Sequence, residues 1–501
     1  MRLSRPSAKT GEVQAGASVI LWADRVLLLG LALFALSIPH SIAAAYVSLG
    51  LSALAWITRD LAARRFRFTR TPIDRAVICF AILSLMAGLL SESPGISLPK
   101  LRSLIIFAMV WLIATNLPLR HVCLLVGLLI CSGLVGVGYS LVEKTIGRGV
   151  VVLAINPDSP LAQTPLEAGD VIWMIERHRV RSLADIVTII RRQPVGKKVE
   201  IEALHAGDPL PLELLVTDEL KTKPDSPGIT VGGSSRRFRA SGFSRHFITW
   251  ADQIQLLALL CYGFVIVLLK KATLPRQSLL AALVIFSLFC VALILTSSRA
   301  AIAAFVLALF IVAVMAGGKR IAVAVAVLAV VISGLTYYSV IGTRTRNAAL
   351  LGDDSTARRI GYMRAGLRII PQHPLFGVGM DSHKLHWKEW GFPGDYVTHT
   401  HSTPIQLAMD RGLPALGCYL WLMVTMLLTA WRGYKTLSSG DDVMRSGLLL
   451  GVTGGVIGFF AGSLVNYNFG DSEVVLLLLF LWSLALVSLR DKSVARQEIK
   501  N

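Results

Sequence analysis

Apolar positions along this chain come in unbroken blocks, not at the spacing of a surface helix or the alternation of a half-buried strand. Each block approaches the ~20 residues that an α-helix needs to cross ~30 Å of hydrocarbon. Twelve are legible, with cores at 19–38, 41–57, 76–91, 103–117, 122–142, 250–269, 278–297, 300–317, 321–341, 413–431, 447–467 and 474–489. The expected fold is therefore a polytopic α-helical membrane protein of about 12 transmembrane helices. The first block is long, lacks a small-residue cleavage pattern and is followed by further spans, so it reads as an anchor and not a removable leader. Gly447, Gly451, Gly454, Gly458 and Gly462 recur at the spacing that lets two membrane helices approach closely.

Two polar stretches interrupt the pattern and divide the chain. Residues 1–142 hold spans one to five, 143–218 a small domain, 219–249 a flexible return linker, 250–341 spans six to nine, 342–412 a long loop, and 413–501 the last three spans and a tail.

Composition agrees with lipid as the solvent: 54% of residues are hydrophobic, 16% are charged and the mean hydropathy is +0.63. On a soluble chain the formal charge of +19 would point to nucleic acid. Its distribution says otherwise. With the N-terminus inside, the inner pieces (1–25, 58–75, 118–121, 270–277, 318–320, 432–445 and 490–501) carry 23 Lys+Arg and 8 Asp+Glu, a net of +15, leaving +4 for everything else. That bias is the positive-inside signal. It puts both termini in the cytoplasm, both polar stretches outside, and leaves no nucleic-acid partner. All six cysteines fall inside predicted spans, away from any loop disulfide or CxxC metal site.

Within the first outer stretch, short β-rich runs (Val150 to Ile155, Asp170 to Ile175, Val199 to Leu204, Pro211 to Val216) surround an amphipathic helix, Ser182 to Arg192, that opens on a serine cap. The order GVVVLAINPDSPLAQTPLEAGDVIWMIERHRVRSLADIVTIIRR resembles a bacterial PDZ domain, a small α+β fold. The resemblance implies peptide capture by strand addition, with backbone donors at Gly149, Val150 and Val151 receiving a terminal carboxylate. Arg177-His178-Arg179 stands where many relatives have an Asn-Gly turn. A spacer or docking face against the membrane domain is the alternative role.

Five of the ten histidines (His373, His383, His386, His399, His401) crowd into the second outer stretch. There Asp353-Asp354-Ser355 is expected to cap a helix that runs to Ile370, with Ile360, Met363, Leu367 and Ile370 on one face and Arg358, Arg364 and Arg368 elsewhere, as in a helix lying on the membrane surface. Arg299, in Thr296-Ser297-Ser298-Arg299, sits at the outer edge of a span, where positive-inside bias asks for no cation, and so suggests an anion site.

Three motifs then occur in order: TSSRAA at 296–301, STARRIGYMRAGLRIIPQHPLFGVGMDSH at 355–383 and HSTPIQLAMDRGLPALG at 401–417. Together they resemble the O-antigen ligase and polymerase superfamily of membrane glycosyltransferases. The resemblance implies a bacterial inner-membrane enzyme of lipopolysaccharide biosynthesis with a periplasmic active site. Its donor is a glycan on undecaprenyl diphosphate, its acceptor a glycan or glycolipid such as a lipid A-core sugar, and it needs no cofactor or metal. Arg299 matches the family's span-edge arginine, Arg358 its loop arginine, and His401 the histidine of its His-Asn motif. Ser402 stands in place of that asparagine, and Arg359 leaves the register of the loop arginine open by one. In that reaction arginines (Arg299, Arg358, Arg359) hold the diphosphate with forked hydrogen bonds, and His401 takes the proton of the attacking hydroxyl.

A polymerase, a protein O-oligosaccharyltransferase and a non-enzymatic PDZ-bearing scaffold remain as alternatives. Zinc at His383-x-x-His386 with His399-x-His401 is a further one, although no HExxH pattern is present. Gly377-Val378-Gly379 reads as a turn beneath the site and not as a phosphate loop.

Overall fold

A computed structural model describes residues 8–205, 208–222, 227–271, 275–343, 354–394 and 399–490. The predicted cap residue Asp353 lies outside them. Each of the twelve apolar blocks becomes helical, and nine helices among the described residues are long and apolar enough to cross a membrane. The protein is thus a multi-pass membrane protein.

The first five spans begin with α1 (Ala8–Ser37) and α2 (Ile42–Ala62), paired through a turn in which Ser41 accepts the Ala44 N–H. They continue with α3 (Asp74–Leu89), then α4 (Pro94–Ser97), which runs through a 3-10 stretch (Leu98–Phe107) into α5 (Ala108–Asn116), and α6 (Val122–Ile146).

The small domain interrupts the helices with β1 (Val150–Ile155), β2 (Val171–Ile175), β3 (His178–Arg179), α7 (Leu183–Arg192), β4 (Lys198–His205), β5 (Asp208–Leu215), α8 (Asp218–Thr222) and β6 (Ile229–Val231). Its antiparallel sheet runs in the order β5-β4-β2-β1-β6, with β3 folded back on β2. Ser182 and Asp185 form a reciprocal capping box that starts α7. In the turn that lacks Asn-Gly, Glu176 and Arg177 take positive φ (47° and 65°), a conformation that costs a residue with a side chain about 1 kcal/mol or more. The expected flexible linker is a correction: Ile229, Thr230 and Val231 pair with the outer edge of β1, because an open strand edge satisfies their backbone groups better than water-exposed coil would.

The remaining spans are α9 (Phe247–Lys270), α10 (Arg276–Leu295), α11 (Arg299–Val312) and α12 (Lys319–Thr343); after α13 (Asp354–Ile369) follow α14 (Thr403–Leu437), α15 (Val443–Ser463) and α16 (Ser472–Ser488). The glycine ridge of α15 packs backbone to backbone on α9. A Cβ added to Gly263 would lie 2.2 Å from the Gly451 nitrogen, and one added to Gly451 would lie 2.7 Å from the Leu260 Cα.

Contacts between loops gather at the two ends of the bundle. At one end, Lys271 pairs with Asp441, Lys270 donates to the Ala316 carbonyl and Arg490 to the Leu117 carbonyl. At the other, Ser91 and Ser97 bond the loop carbonyls of Val378 and Met380, Thr403 bonds Asn466, and Thr249 bonds Asp471. The small domain shares this second end, where Ala240 N–H donates to Leu295.

Candidate active site

The long loop is fastened by a break in α14. Gly412, at φ 82° and ψ 168°, is non-helical, and Pro414 follows. The break releases the carbonyls of Met409 and Asp410, which accept the N–H groups of Val378 (2.9 Å) and Gly379 (3.0 Å), while Leu413 N–H donates to Pro374. Gly377, Gly379 and Gly412 all have positive φ, and a Cβ on Gly412 would lie 2.1 Å from the Leu375 carbonyl. Gly377-Val378-Gly379 is therefore a clasp on the kink. Ser91, Ser97 and Ser382 form a buried hydroxyl cluster beside it.

α13 docks on this platform through a face other than the predicted stripe. Tyr362, Ala365 and Ile369 are buried with Trp387, Phe392 and Met409, whereas Ile360 and Leu367 are exposed. The reason is steric: Gly361 abuts Pro393 and Gly366 abuts Ile405 at distances that no side chain allows. Arg358, Arg364 and Arg368 stay exposed.

At this end lies a cavity of about 870 Å³ lined from α3, the 3-10 stretch, the start of α9, the loop, α14 and the turn before α16. His399 and His401 face it, together with Lys100, Lys384 and Arg411. A second group in the wall is acidic: Asp252, Asp471 and Glu473. His401 takes φ 56° immediately before the helix cap Ser402. Its turn is held from α14, where Gln406 accepts the Thr400 N–H (2.7 Å) and donates to both oxygens of Asp410 (2.9 Å each). The His401 ring stacks on Tyr362 at 5.6 Å and meets His399 edge-on at 4.3 Å.

Burial, the neighbouring His399, Arg359 and His246 push the His401 pKa down to about 3. Burial, with His383 and Arg359, pushes His399 down to about 4. Both rings are neutral at pH 7. In the unfolded chain they protonate near ~6.5, so between that value and their folded values the unfolded state binds more protons and stability falls as pH falls. Taking the protein from pH 7 to 5 is expected to lower its melting temperature in detergent. His401→Gln removes part of that drop, on the order of 1 kcal/mol.

The expected site residues are only partly gathered. His401 lines the cavity, and Arg359, half-buried, acts electrostatically on it. Arg299 opens α11 and Arg358 reaches toward Tyr362; both are exposed, and neither is among the described residues lining the cavity. Gly149 to Val151 lie in the small domain at the edge joined by β6. Among the described residues no group of three or more His, Cys, Asp or Glu is placed to hold a metal. His383 is fully buried with Nδ1 3.6 Å from Asp410, whereas His386 pairs with Glu389 and stacks on Trp390.

Arg411 is the residue that sequence reasoning missed. It is 6% exposed and lines the cavity together with Tyr467, its guanidinium stands 5.5 Å from the Phe80 ring, and its Nε and Nη1 have no protein partner. Asp252 Oδ1 and Asn466 Nδ2, in the same wall, are likewise buried and unpartnered. Buried polar atoms are nearly always bonded, so clustered exceptions in a cavity wall mark a place for a polar ligand or ordered water. The only sequence signal was an Asp-Arg-Gly triplet at the end of an apolar helical turn.

Fold and site define a multi-pass membrane protein whose bundle carries, at one end, an inserted sheet domain and a polar cavity with a neutral histidine and a buried arginine. Residues 281–420 match the O-Antigen ligase family, and residues 133–216 match the PDZ domain family. The chain thus has a segment that matches O-antigen ligases, with a PDZ domain ahead of it. The magnetosome formation protease MamE of Magnetospirillum gryphiswaldense is 30% identical over 93 residues, which are 18% of this chain and 12% of that relative.

Proposed function

We propose that the protein moves a glycan from undecaprenyl diphosphate to an acceptor hydroxyl, as an O-antigen ligase does for a lipid A-core sugar, at the periplasmic face of a bacterial inner membrane. The observation that carries this reading is the Arg411 guanidinium, buried without partners for two of its nitrogens in the cavity that His401 lines. The net charge of +15 on the inner pieces supports the sidedness.

The chemistry follows from these groups. The acceptor oxygen forms a bond to the anomeric carbon as the bond from that carbon to the diphosphate oxygen breaks. The hydroxyl proton passes to a ring nitrogen of His401, and the electron pair leaves with the diphosphate. Arg411 and Arg359 neutralise the charge that develops there. Burial is the main cause of the low His401 pKa and the Arg359 charge a smaller one; a bound diphosphate offsets that charge and shifts the ring's pKa upward, so the base strengthens when donor is present. Arg299 opens α11 and is exposed, and as a cation it suits an approaching anionic carrier. Carboxylates at Asp252, Asp471 and Glu473 suit the acceptor's hydroxyls.

A purified sample in nanodiscs, given undecaprenyl-diphosphate-linked glycan and a lipid A-core acceptor, is expected to yield glycosylated acceptor and one free undecaprenyl diphosphate per transfer, in EDTA as in its absence. Lengthening of the lipid-linked glycan instead would make the protein a polymerase, and absence of any glycan transfer would contradict the proposal.

A further inference from the structure

A second cleft, of about 560 Å³, lies between the sheet of the small domain and the chain that returns from it to the membrane. Its origin is the alternation of β4. Val199, Ile201 and Ala203 enter the domain core, and Glu200 and Glu202 stand on the opposite, exposed face. Phe238 covers part of that face, packed with Val171, Leu204 and Trp173. The segment after Phe238 is tied elsewhere: Ser241 bonds the Arg148 guanidinium (3.0 Å), which also holds Glu143 (2.6 Å), and the Ala240 N–H donates to the Leu295 carbonyl at the end of α10. The rest of the sheet face is thereby left open as the cleft.

This cleft and the cavity that His401 lines meet at His246, the cap of α9, which stands in the wall of both. Next to His246 the cavity wall is acidic. Thr249 donates to Asp471 (2.5 Å), and Asp471 acts electrostatically on Asp252 and Glu473. Glu473 in turn feels Arg245, a residue of the cleft. The cations of the cavity come from other elements: Lys100 and Lys384, both paired with Asp381, and Arg411 of α14. A diphosphate is drawn to those cations and repelled by the carboxylates, so the acidic side is left for the second substrate. There Asp252, 4% exposed, has an unpartnered Oδ1, and Asn466, 3% exposed, an unpartnered Nδ2. Hydroxyl groups, which both donate and accept, satisfy the two together.

Charge in the cleft itself is balanced, with Glu200, Glu202 and Glu213 matched by Arg148, Arg239 and Arg245. A polyanion gains little from such a lining, whereas a chain of hydroxyls finds acceptors and donors along it. A peptide strand is served less well, because β5, the end strand on this side of the sheet, carries Pro209 and Pro211 and so lacks two N–H groups. The volume lies within the ~300–1,000 Å³ of ordinary ligand sites.

We propose that this cleft binds the acceptor, an uncharged oligosaccharide that enters beneath the sheet domain and presents its terminal hydroxyl past His246 to His401. The inference rests on the transferase reading above and gives its second substrate a place and a chemical class.

Two measurements test it. In the first, p-benzoylphenylalanine replaces Glu202 in the full-length protein, and native membranes holding it are irradiated. Peptides spanning position 202 are expected to carry a carbohydrate adduct. Peptides spanning position 177, after the same replacement of the exposed Arg177 outside the cleft, are expected to carry none. No carbohydrate at position 202, equal labelling at the two positions, or a peptide adduct instead overturns the proposal. In the second, run in the nanodisc assay, Glu202→Lys is expected to raise KM for the acceptor by about tenfold, as loss of one or two hydrogen bonds would, with kcat and the donor's KM changed less than about twofold. Transfer with an unchanged acceptor KM overturns the cleft and leaves the transferase standing. Carbohydrate adducts on a protein that transfers no glycan would refute the transferase and keep the cleft as a glycan site.

Discussion

Arg411→Met is expected to reduce glycan transfer by about 10²–10³-fold while leaving the melting temperature unchanged or slightly raised. The two effects separate a ligand-binding arginine from a structural one. A guanidinium whose nitrogens are all bonded within the protein leaves orphaned partners when it is removed, and destabilises strongly. Nε and Nη1 of Arg411 have no such partners, and methionine fills much of the same volume beside Phe80 and removes a buried charge. Arg411→Lys should restore transfer only in part, because an ammonium offers a point charge where the guanidinium offers a fork.

His401→Gln is expected to lower kcat by about 10²–10⁴-fold, the usual contribution of a general base, with donor affinity changed less than about threefold. Its pH profile carries the diagnosis. In wild type, activity should fall on the acid side as His401 in the donor complex becomes protonated, and that limb should vanish in the variant's residual activity. A histidine that served only to stack on Tyr362 would leave the limb in place.

The bundle was legible because a span is written locally: a block of apolar residues has one cheap solution in lipid, and all twelve blocks became helices. The glycine ridge was legible for the same reason, since its spacing states that a second backbone must come close, which Gly263 of α9 does. The return segment was not, because β6 is a pairing across some seventy-five residues of sequence and three β-branched residues in a Ser/Gly-rich stretch carry no period. The face of α13 is not legible in the sequence, because apolar size does not by itself mark burial. Gly361, Ala365 and Gly366 decided the face by allowing close approach, leaving Ile360 and Leu367 outside.

In the site, His401 is named from the sequence as one of five histidines crowded into the outer loop and as the match to the histidine of the family's His-Asn motif. The two successive arginines could not be ordered without the helix; once it is placed, Arg359 is the one felt by His399 and His401, and Arg358 the one felt by Tyr362. Arg411 escaped notice because it follows an apolar helical stretch and precedes a predicted span, where a basic residue reads as a boundary. Only the kink at Gly412 and the wall of the cavity show what it faces.

The central claim is that this cavity holds a polyprenyl diphosphate, and binding tests it without requiring the acceptor. Undecaprenyl diphosphate and undecaprenol, which share the tail and differ in the charge, can be titrated into purified wild type and Arg411→Met and followed by native mass spectrometry. The diphosphate should bind wild type at least tenfold more tightly than undecaprenol does, and Arg411→Met should erase most of that difference. Equal binding of the two lipids by wild type, or a preference untouched by Arg411→Met, would contradict the account.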